Sequence, residues 1–286
     1  MKKLTDQILH DVISPRPTDS YKGTFGKVTL VGGNQNFGGA IIMATTAAVY
    51  AGAGLVTTAT DPSNSSALHT QVPEAMFADF SDDQLVASLV KDATTVVVGP
   101  GLGNTPESLR ILKNVFNHIT ADQTVIIDGS AITLMAKEKL LQPAGKIIYT
   151  PHQMEWQRLS GIKINEQTEA ANWAVQKQLQ ATVVLKKHHT EIYTNDEVYQ
   201  LPIGTPAQAI GGMGDTLAGM VGGFSAEFNQ NIDQAVLAAV YAHSAIAEKL
   251  AENQYIVLPH QISHALPTFM KKMEKLEDEH QIGFLN

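Results

Sequence analysis

Thr95-Val96-Val97-Val98-Gly99-Pro100-Gly101-Leu102-Gly103 runs a short β-branched stretch straight into a turn with three glycines. A strand with one wet face alternates polar and apolar residues. A run with no alternation is apolar on both faces, as in parallel sheets covered by helices. Val125-Ile126-Ile127 before Asp128-Gly129 and Val183-Val184-Leu185 before Lys186 repeat the pattern. Between such runs lie helical periods: Pro106–Ile119 places Leu109, Leu112, Val115, Phe116 and Ile119 on one face. Short strands alternating with helices predict an α/β fold with a mostly parallel sheet and helices on both sides.

Working outward, strands are expected at Lys27–Val31, Leu55–Ala59, Thr95–Val98, Thr124–Ile127, Lys146–Tyr149 and Thr182–Leu185, followed by hairpin-like runs at Glu191–Thr194 and Glu197–Leu201. Helices are expected at Gly39–Ala53, Pro106–Ile119, Glu166–Gln180, Gly214–Phe228, Ile232–Glu252 and Ile262–Leu276. No repeat or linker divides the 286 residues, so one domain spanning 1–286 is expected. Residues 1–20 read as an N-terminal helix or extension. Residues 271–286 read as a charged tail, a solvated helix end.

Lysine and arginine number 20 against 28 aspartates and glutamates, a net charge of −8. That disfavours a nucleic-acid partner, which needs a basic patch. The absence of cysteine removes disulfides, thiolate catalysis and cysteine-bound metals. No charge occurs over the 33 residues from Val28 to Thr60, or over the 17 from Val198 to Gly214. The first gap is long enough to suggest a membrane span. It is broken by Gly32-Gly33-Asn34-Gln35-Asn36, Gly38-Gly39 and the five threonines from Thr45 to Thr60, so no membrane partner is expected. Met1-Lys2-Lys3 leads into polar residues rather than an apolar signal segment, and a soluble cytoplasmic protein is expected.

In an open parallel sheet, ligands bind beyond the carboxyl ends of the strands. Here those ends lead into Gly32-Gly33-Asn34, Gly99–Gly103, Asp128-Gly129, Thr150-Pro151-His152 and Lys186-Lys187-His188-His189. The sharpest feature is Ile210-Gly211-Gly212-Met213-Gly214-Asp215-Thr216-Leu217-Ala218-Gly219, a glycine turn opening an apolar helix. Amides at a helix N-terminus bind anions. An aspartate there can take the proton of a hydroxyl that attacks a phosphoryl group. The plainer alternative for Asp215 is a helix N-cap. The Walker, dinucleotide-fingerprint and His-Glu-x-x-His patterns are missing. The ten histidines show no ligand cluster; His260 and His264 have i,i+4 spacing without a third ligand, and the adjacent His188 and His189 point apart if extended.

Taken in order, these segments resemble the ADP/ATP-dependent NAD(P)H-hydrate dehydratases of the ribokinase-like superfamily. The resemblance covers about Lys22 to Leu266. It rests on Lys22-Gly23-Thr24-Phe25-Gly26, Gly32-Gly33-Asn34 with Gly38-Gly39-Ala40, Gly99–Gly103, Asp128–Ile132, Thr150-Pro151-His152 with Glu155, Val183–Lys186 and Gly211–Asp215. It implies a ribokinase-like three-layer sandwich and a two-stage reaction. A nucleotide phosphoryl group activates the hydroxyl on a hydrated nicotinamide ring, and elimination restores NADH or NADPH.

By the same resemblance, Asp215 is the base; Gly211, Gly212 and Gly214 offer amides to the phosphoryl group; and Ala40, Gly103, His152 and Asp215 line the hydrate site. Lys186, Lys187, His188, His189 and Thr190 hold ADP or ATP together with Gly214, Mg²⁺ accompanies the nucleotide, and Glu155 is a candidate metal-linked acid. A homo-oligomer, a tetramer, is also implied. The plainer alternatives are a capping role for His152 and a dipole-favoured first-turn acid for Glu155. Lys187 stands where the family usually has glycine, and Thr205-Pro206, Gln208, Met213 and Gly129-Ser130 also depart from its pattern. A small-molecule kinase of the same superfamily and a nucleotide-binding protein without turnover are the alternative functions.

Overall fold

The computed structural model describes residues 1–274. Its strands are β1 Lys2–Lys3, β2 Lys27–Val31, β3 Leu55–Thr60, β4 Met76–Asp79, β5 Thr95–Val98, β6 Thr124–Ile127, β7 Lys146–Tyr149, β8 Thr182–Leu185, β9 Glu191–Tyr193 and β10 Val198–Gln200. Its helices are α1 Gln7–Val12, α2 Gly38–Tyr50, α3 Ser65–Gln71, α4 Asp83–Asp92, α5 Pro106–His118, α6 Gly129–Glu138, α7 Gln153–Ser160, α8 Glu169–Leu179, α9 Met213–Glu227, α10 Ile232–Ala251 and α11 Pro259–Met273. The strands form one sheet in the order β1-β10-β9-β8-β7-β6-β5-β2-β3-β4. Pairing is parallel from β8 to β4, while β9 runs antiparallel to both β8 and β10.

The unalternating strands serve two cores. Leu30, Val97, Ile126, Ile148 and Val184 point into one, shared with α2, α9, α10 and α11. Val31, Val96, Val98, Ile127, Tyr149 and Leu185 point into the other, shared with α4, α5, α6 and α7. Three layers result, as expected.

Helix α9 lies against the sheet and α2 because its inner face is nearly bare. A Cβ on Gly222 would come within 2.5 Å of Val97 Cγ2, and one on Gly219 would strike the Ala44 carbonyl of α2. Ala44, Ala47, Ala48 and Ala51, all fully buried, complete the small-residue seam on the α2 side. At the far end of α9, Arg16 Nε donates to Glu227 Oε1 at 3.0 Å and its guanidinium sits 3.8 Å above the Phe25 ring.

Several boundaries shift for local reasons. Helix α2 ends at Tyr50, short of Ala53, since Gly52 turns the chain. Helix α8 starts at Glu169, where Thr168 caps it, rather than at Glu166. Helix α11 begins at Pro259, three residues earlier than expected, because proline suits a first helical position whose N–H needs no partner. Residues 1–20 are more than an extension: β1 pairs with β10, and Leu4, Leu9 and Ile13 are buried. The charged-tail expectation beyond Glu274 lies outside the described residues.

Gly219→Ala tests the seam. On an exposed helix face the change stabilises by about 1 kcal/mol. Against Ala44 it overpacks, and a net loss of roughly 1–3 kcal/mol is expected as a lower urea midpoint. An unchanged or higher midpoint would mean that α2 and α9 can part freely.

Candidate active site

Strands β8, β7, β6, β5 and β2 lie side by side and end at one edge. In that order the ends present Lys186, Thr150-Pro151-His152, Asp128, Gly99–Gly103 and Gly32–Asn34. The chain reverses its winding between β5 and β2, where such sheets open a crevice. Asn34 spans that point: its amide donates to the Leu102 carbonyl at 3.3 Å, and its oxygen accepts the N–H groups of Asn36 and Phe37.

The N-terminus of α9 faces this edge. Gly212 is its N-cap at φ 93°, and no side chain caps the helix. Another residue would be strained at that φ, and its Cβ would hit Met43. The first-turn amides of α9 are therefore available to an anion, favoured by the helix dipole. Asp215 lies in the first turn, inside the cap, so the N-cap alternative does not apply.

One ammonium serves three carboxyl groups. Lys186 Nζ lies 2.8 Å from Asp128 Oδ1, which also accepts the Thr150 hydroxyl at 2.6 Å. Burial alone would lower the Lys186 pKa; Asp128, Glu155 and Asp215 outweigh it and raise it, so the side chain stays cationic. Asp215 is pushed up to about 6, mainly by burial and then by Asp128, with Lys186 pulling the other way. Glu155 is raised by burial against the pull of Lys186. From sequence alone Asp128 is only the residue that ends a strand. The available signal was position: it ends β6 as Lys186 ends β8, flanking β7.

Two cavities border the first turn of α9, one at Gly214 and the other at Asp215. One, of about 670 Å³, is lined by Lys186, Lys187, His188, His189, Thr190 and Gly214, with Gln208 and His243 behind them. The other, of about 520 Å³, is lined by Ala40, Gly103, Glu155 and Asp215, with Asn34 and Ser130. Ser130 Oγ accepts the Gly103 amide at 3.0 Å and so holds that turn. His243 was not anticipated. It is buried, with its pKa lowered to about 4 chiefly by burial, so it is neutral at pH 7.

Other expected residues take different places. Gly211 and Gly212 line neither cavity but shape the turn. His152 also lines neither: it caps α7, its Nδ1 accepting the Met154 and Glu155 amides at 3.1 and 3.3 Å. Glu155 returns the bond, its Oε2 accepting the His152 amide at 2.8 Å. No trio of His, Asp or Glu converges among the described residues, so any metal linked to Glu155 would have to complete its shell with nucleotide phosphates and water. Lys187 Nζ is 2.6 Å from the buried Glu191 carboxylate. His188 and His189 lie in the loop after β8, where a loop rather than a metal site is the expected reading. His189 adopts φ 58°, and the two rings sit 4.0 Å apart. His260 and His264 meet edge to face on α11 with ring centroids 5.7 Å apart, and Tyr50 lies beside His264.

A family model described as NAD(P)H-hydrate dehydratase matches residues 28–268. The ADP-dependent (S)-NAD(P)H-hydrate dehydratase of Lactiplantibacillus plantarum is 51% identical over 277 residues, covering 97% of this chain and 99% of that one. The protein of the same name from Staphylococcus aureus is 44% identical, covering 95% and 98%. Among solved structures, a ribokinase-like superfamily protein of Enterococcus faecalis superposes with a TM-score of 0.94 at 46% identity, over 96% of this chain and 97% of that one. The ADP/ATP-dependent NAD(P)H-hydrate dehydratase of Bacillus subtilis, co-crystallised with ATP/Mg²⁺, gives 0.83 at 30% identity, over 96% and 99%. Agreement of this extent, nearly end to end in sequence and in fold, means that the chain belongs to the NAD(P)H-hydrate dehydratase family.

Proposed function

We propose that the protein uses ADP or ATP to dehydrate the S hydrates of NADH and NADPH (NADHX and NADPHX), returning the working cofactors. It acts as a hydro-lyase. The observation that carries this reading is the seam at α9: Gly214 lines one cavity and Asp215, the next residue, lines the other. A nucleotide in the first cavity can present its terminal phosphoryl group to a hydroxyl held in the second.

Lys186, Lys187, His188, His189 and Thr190, with the amides of the α9 turn, hold the nucleotide. The Lys187 side chain is already taken by Glu191, so its contribution is its backbone. Ala40, Gly103 and Asp215 hold the hydrate, and His152 fixes α7 at the edge of that site. Asp215, ionised above pH 6, accepts the hydroxyl proton as the oxygen attacks phosphorus, and Lys186 offsets the charge of the phosphoryl oxygens. Mg²⁺ usually keeps its waters and relies on substrate phosphates with one or two carboxylates, which suits a site without a three-ligand protein cage. Bound with the nucleotide, it would neutralise charge on the transferring group. A cytoplasmic location is part of the same reading. No described helix is long and apolar enough to cross a membrane.

Asp215→Asn separates activity from stability. Loss of the base should lower kcat by about 10²–10⁴-fold. The raised carboxyl pKa means that the folded state holds this proton more tightly than the unfolded state. Wild-type stability therefore falls as pH rises from about 4 to about 6. Asn removes that penalty: at pH 7–8 the variant should be more stable by roughly 1–3 kcal/mol, with the advantage gone below about pH 4. Thermal melts of both proteins across this range check it, and a margin over wild type no larger at pH 8 than at pH 4 contradicts the assigned environment.

Gly214→Ala would place a Cβ 2.9 Å from Lys186 Nζ, on the nucleotide side only. The nucleotide KM should rise by about tenfold, equivalent to ~1.4 kcal/mol, with the hydrate KM little changed. Equal rises in both would argue against two separate cavities. A homo-oligomer, a tetramer, is part of this reading; sedimentation equilibrium on the full chain should return four chain masses, and a single chain mass would remove it.

A further inference from the structure

Glu155 is over-buried for the work it does at the helix end. A first-turn acid that returns a capping bond normally lies at the surface, yet this side chain is only 9% exposed and lines the hydrate cavity together with Asp215. His152 Nδ1 accepts two backbone amides, so the ring proton resides on Nε2, 3.4 Å from Glu155 Oε1. The carboxylate is thereby oriented while each oxygen keeps a free lone pair.

The dehydration makes two separate demands for a base. Hydration of the ring's enamine bond places the hydroxyl on the carbon next to the ring nitrogen and a hydrogen on the neighbouring carbon. The first stage moves the hydroxyl proton. The second must also remove a proton from the neighbouring carbon. Asp215 is neutral after the first stage, having just taken the hydroxyl proton, and cannot accept another until it releases that one.

We propose that Glu155 is the second base, the group that takes the ring carbon's proton during elimination; this rests on the dehydratase reading given above. The step balances. The ring nitrogen's lone pair expels phosphate, which leaves with the carbon–oxygen electrons. The neighbouring carbon–hydrogen bond then breaks, its proton going to a Glu155 oxygen. Its electron pair forms the ring double bond, and the nitrogen recovers its lone pair. The nucleotide has lost one phosphoryl group, inorganic phosphate is released, and Glu155 later passes its proton to water. Its raised pKa, caused chiefly by burial, makes it a better proton acceptor than a surface carboxylate.

The experiment is single-turnover rapid quench with ADP, Mg²⁺ and NADH hydrate, following AMP by chromatography and NADH by absorbance. In Glu155→Gln, AMP formation should stay within about tenfold of wild type while NADH appearance slows by about 10²–10⁴-fold, the range for loss of a general base. A phosphorylated hydrate should accumulate as a new phosphoester signal in ³¹P NMR. NADH appearing in step with AMP would overturn the proposal, whether both slow together or neither does; in the latter case the departing phosphate takes the proton itself. Should Gln unfold α7, as circular dichroism would reveal, Glu155→Asp keeps the charge but withdraws it by one methylene. The same lag of NADH behind AMP is expected there, and its absence equally overturns the assignment. Wild-type enzyme that forms no NADH from the hydrate with either ADP or ATP refutes the dehydratase reading instead.

Discussion

The bare face of α9 is the constraint on which the site depends. Because Gly219 and Gly222 carry no side chain, the helix can lie against Ala44 and Val97 at backbone distance. That places its N-terminus level with the carboxyl ends of the central strands. A bulkier helix would stand off from the sheet, and the amides of its first turn would lose their position beside Lys186 and Asp128. Packing and chemistry are thus one arrangement: the residues that close the core also fix the height of Asp215 between two cavities.

Within that frame the electrostatics are economical. Four ionisable groups, Asp128, Glu155, Lys186 and Asp215, influence one another, and only one is a cation. An isolated buried carboxylate is costly. Three of them around one ammonium are tolerable because Asp128 accepts from Thr150, Glu155 accepts from the His152 amide, and Asp215 has its own backbone amide and a raised pKa. The proposed anion site draws on the backbone amides of the α9 turn with Lys186 as its one central ammonium. That reconciles an acidic, charge-poor chain with nucleotide substrates, and the charge-free run from Val198 to Gly214 ends where those amides begin.

The central strands were legible in the sequence because each is apolar on both faces and ends in a glycine or polar turn. Strand β4, Met76–Asp79, was not: it lies at the sheet edge and has only one buried residue. Helix α6 escaped notice because it starts directly at Gly129 after Asp128, with no side-chain cap to announce it. Lys186 to Thr190, expected on the nucleotide side, line one cavity together because they follow one strand in sequence. Asp128 and His243 could not be found that way. One matters only because β6 and β8 both flank β7, and the other because α10 backs onto the loop that carries Gln208. Such juxtapositions exist only after folding. His152 shows the reverse limit: a motif identifies the residue, but only the local backbone shows that its ring nitrogen is spent on capping α7.

The clamp of Arg16 on Glu227 acquires a different meaning beside the active site. Glu227 is the last residue of the helix whose first turn holds Asp215, twelve positions and about 18 Å away at 1.5 Å per residue. The helix behaves as an axle with a bearing at each end, one at the glycine turn and one at the N-terminal segment. Play at the distant bearing becomes axial slip of the carboxylate against its substrate. The first twenty residues, which touch neither cavity, therefore belong to the precision of the reaction, and trimming them would loosen chemistry that they never contact.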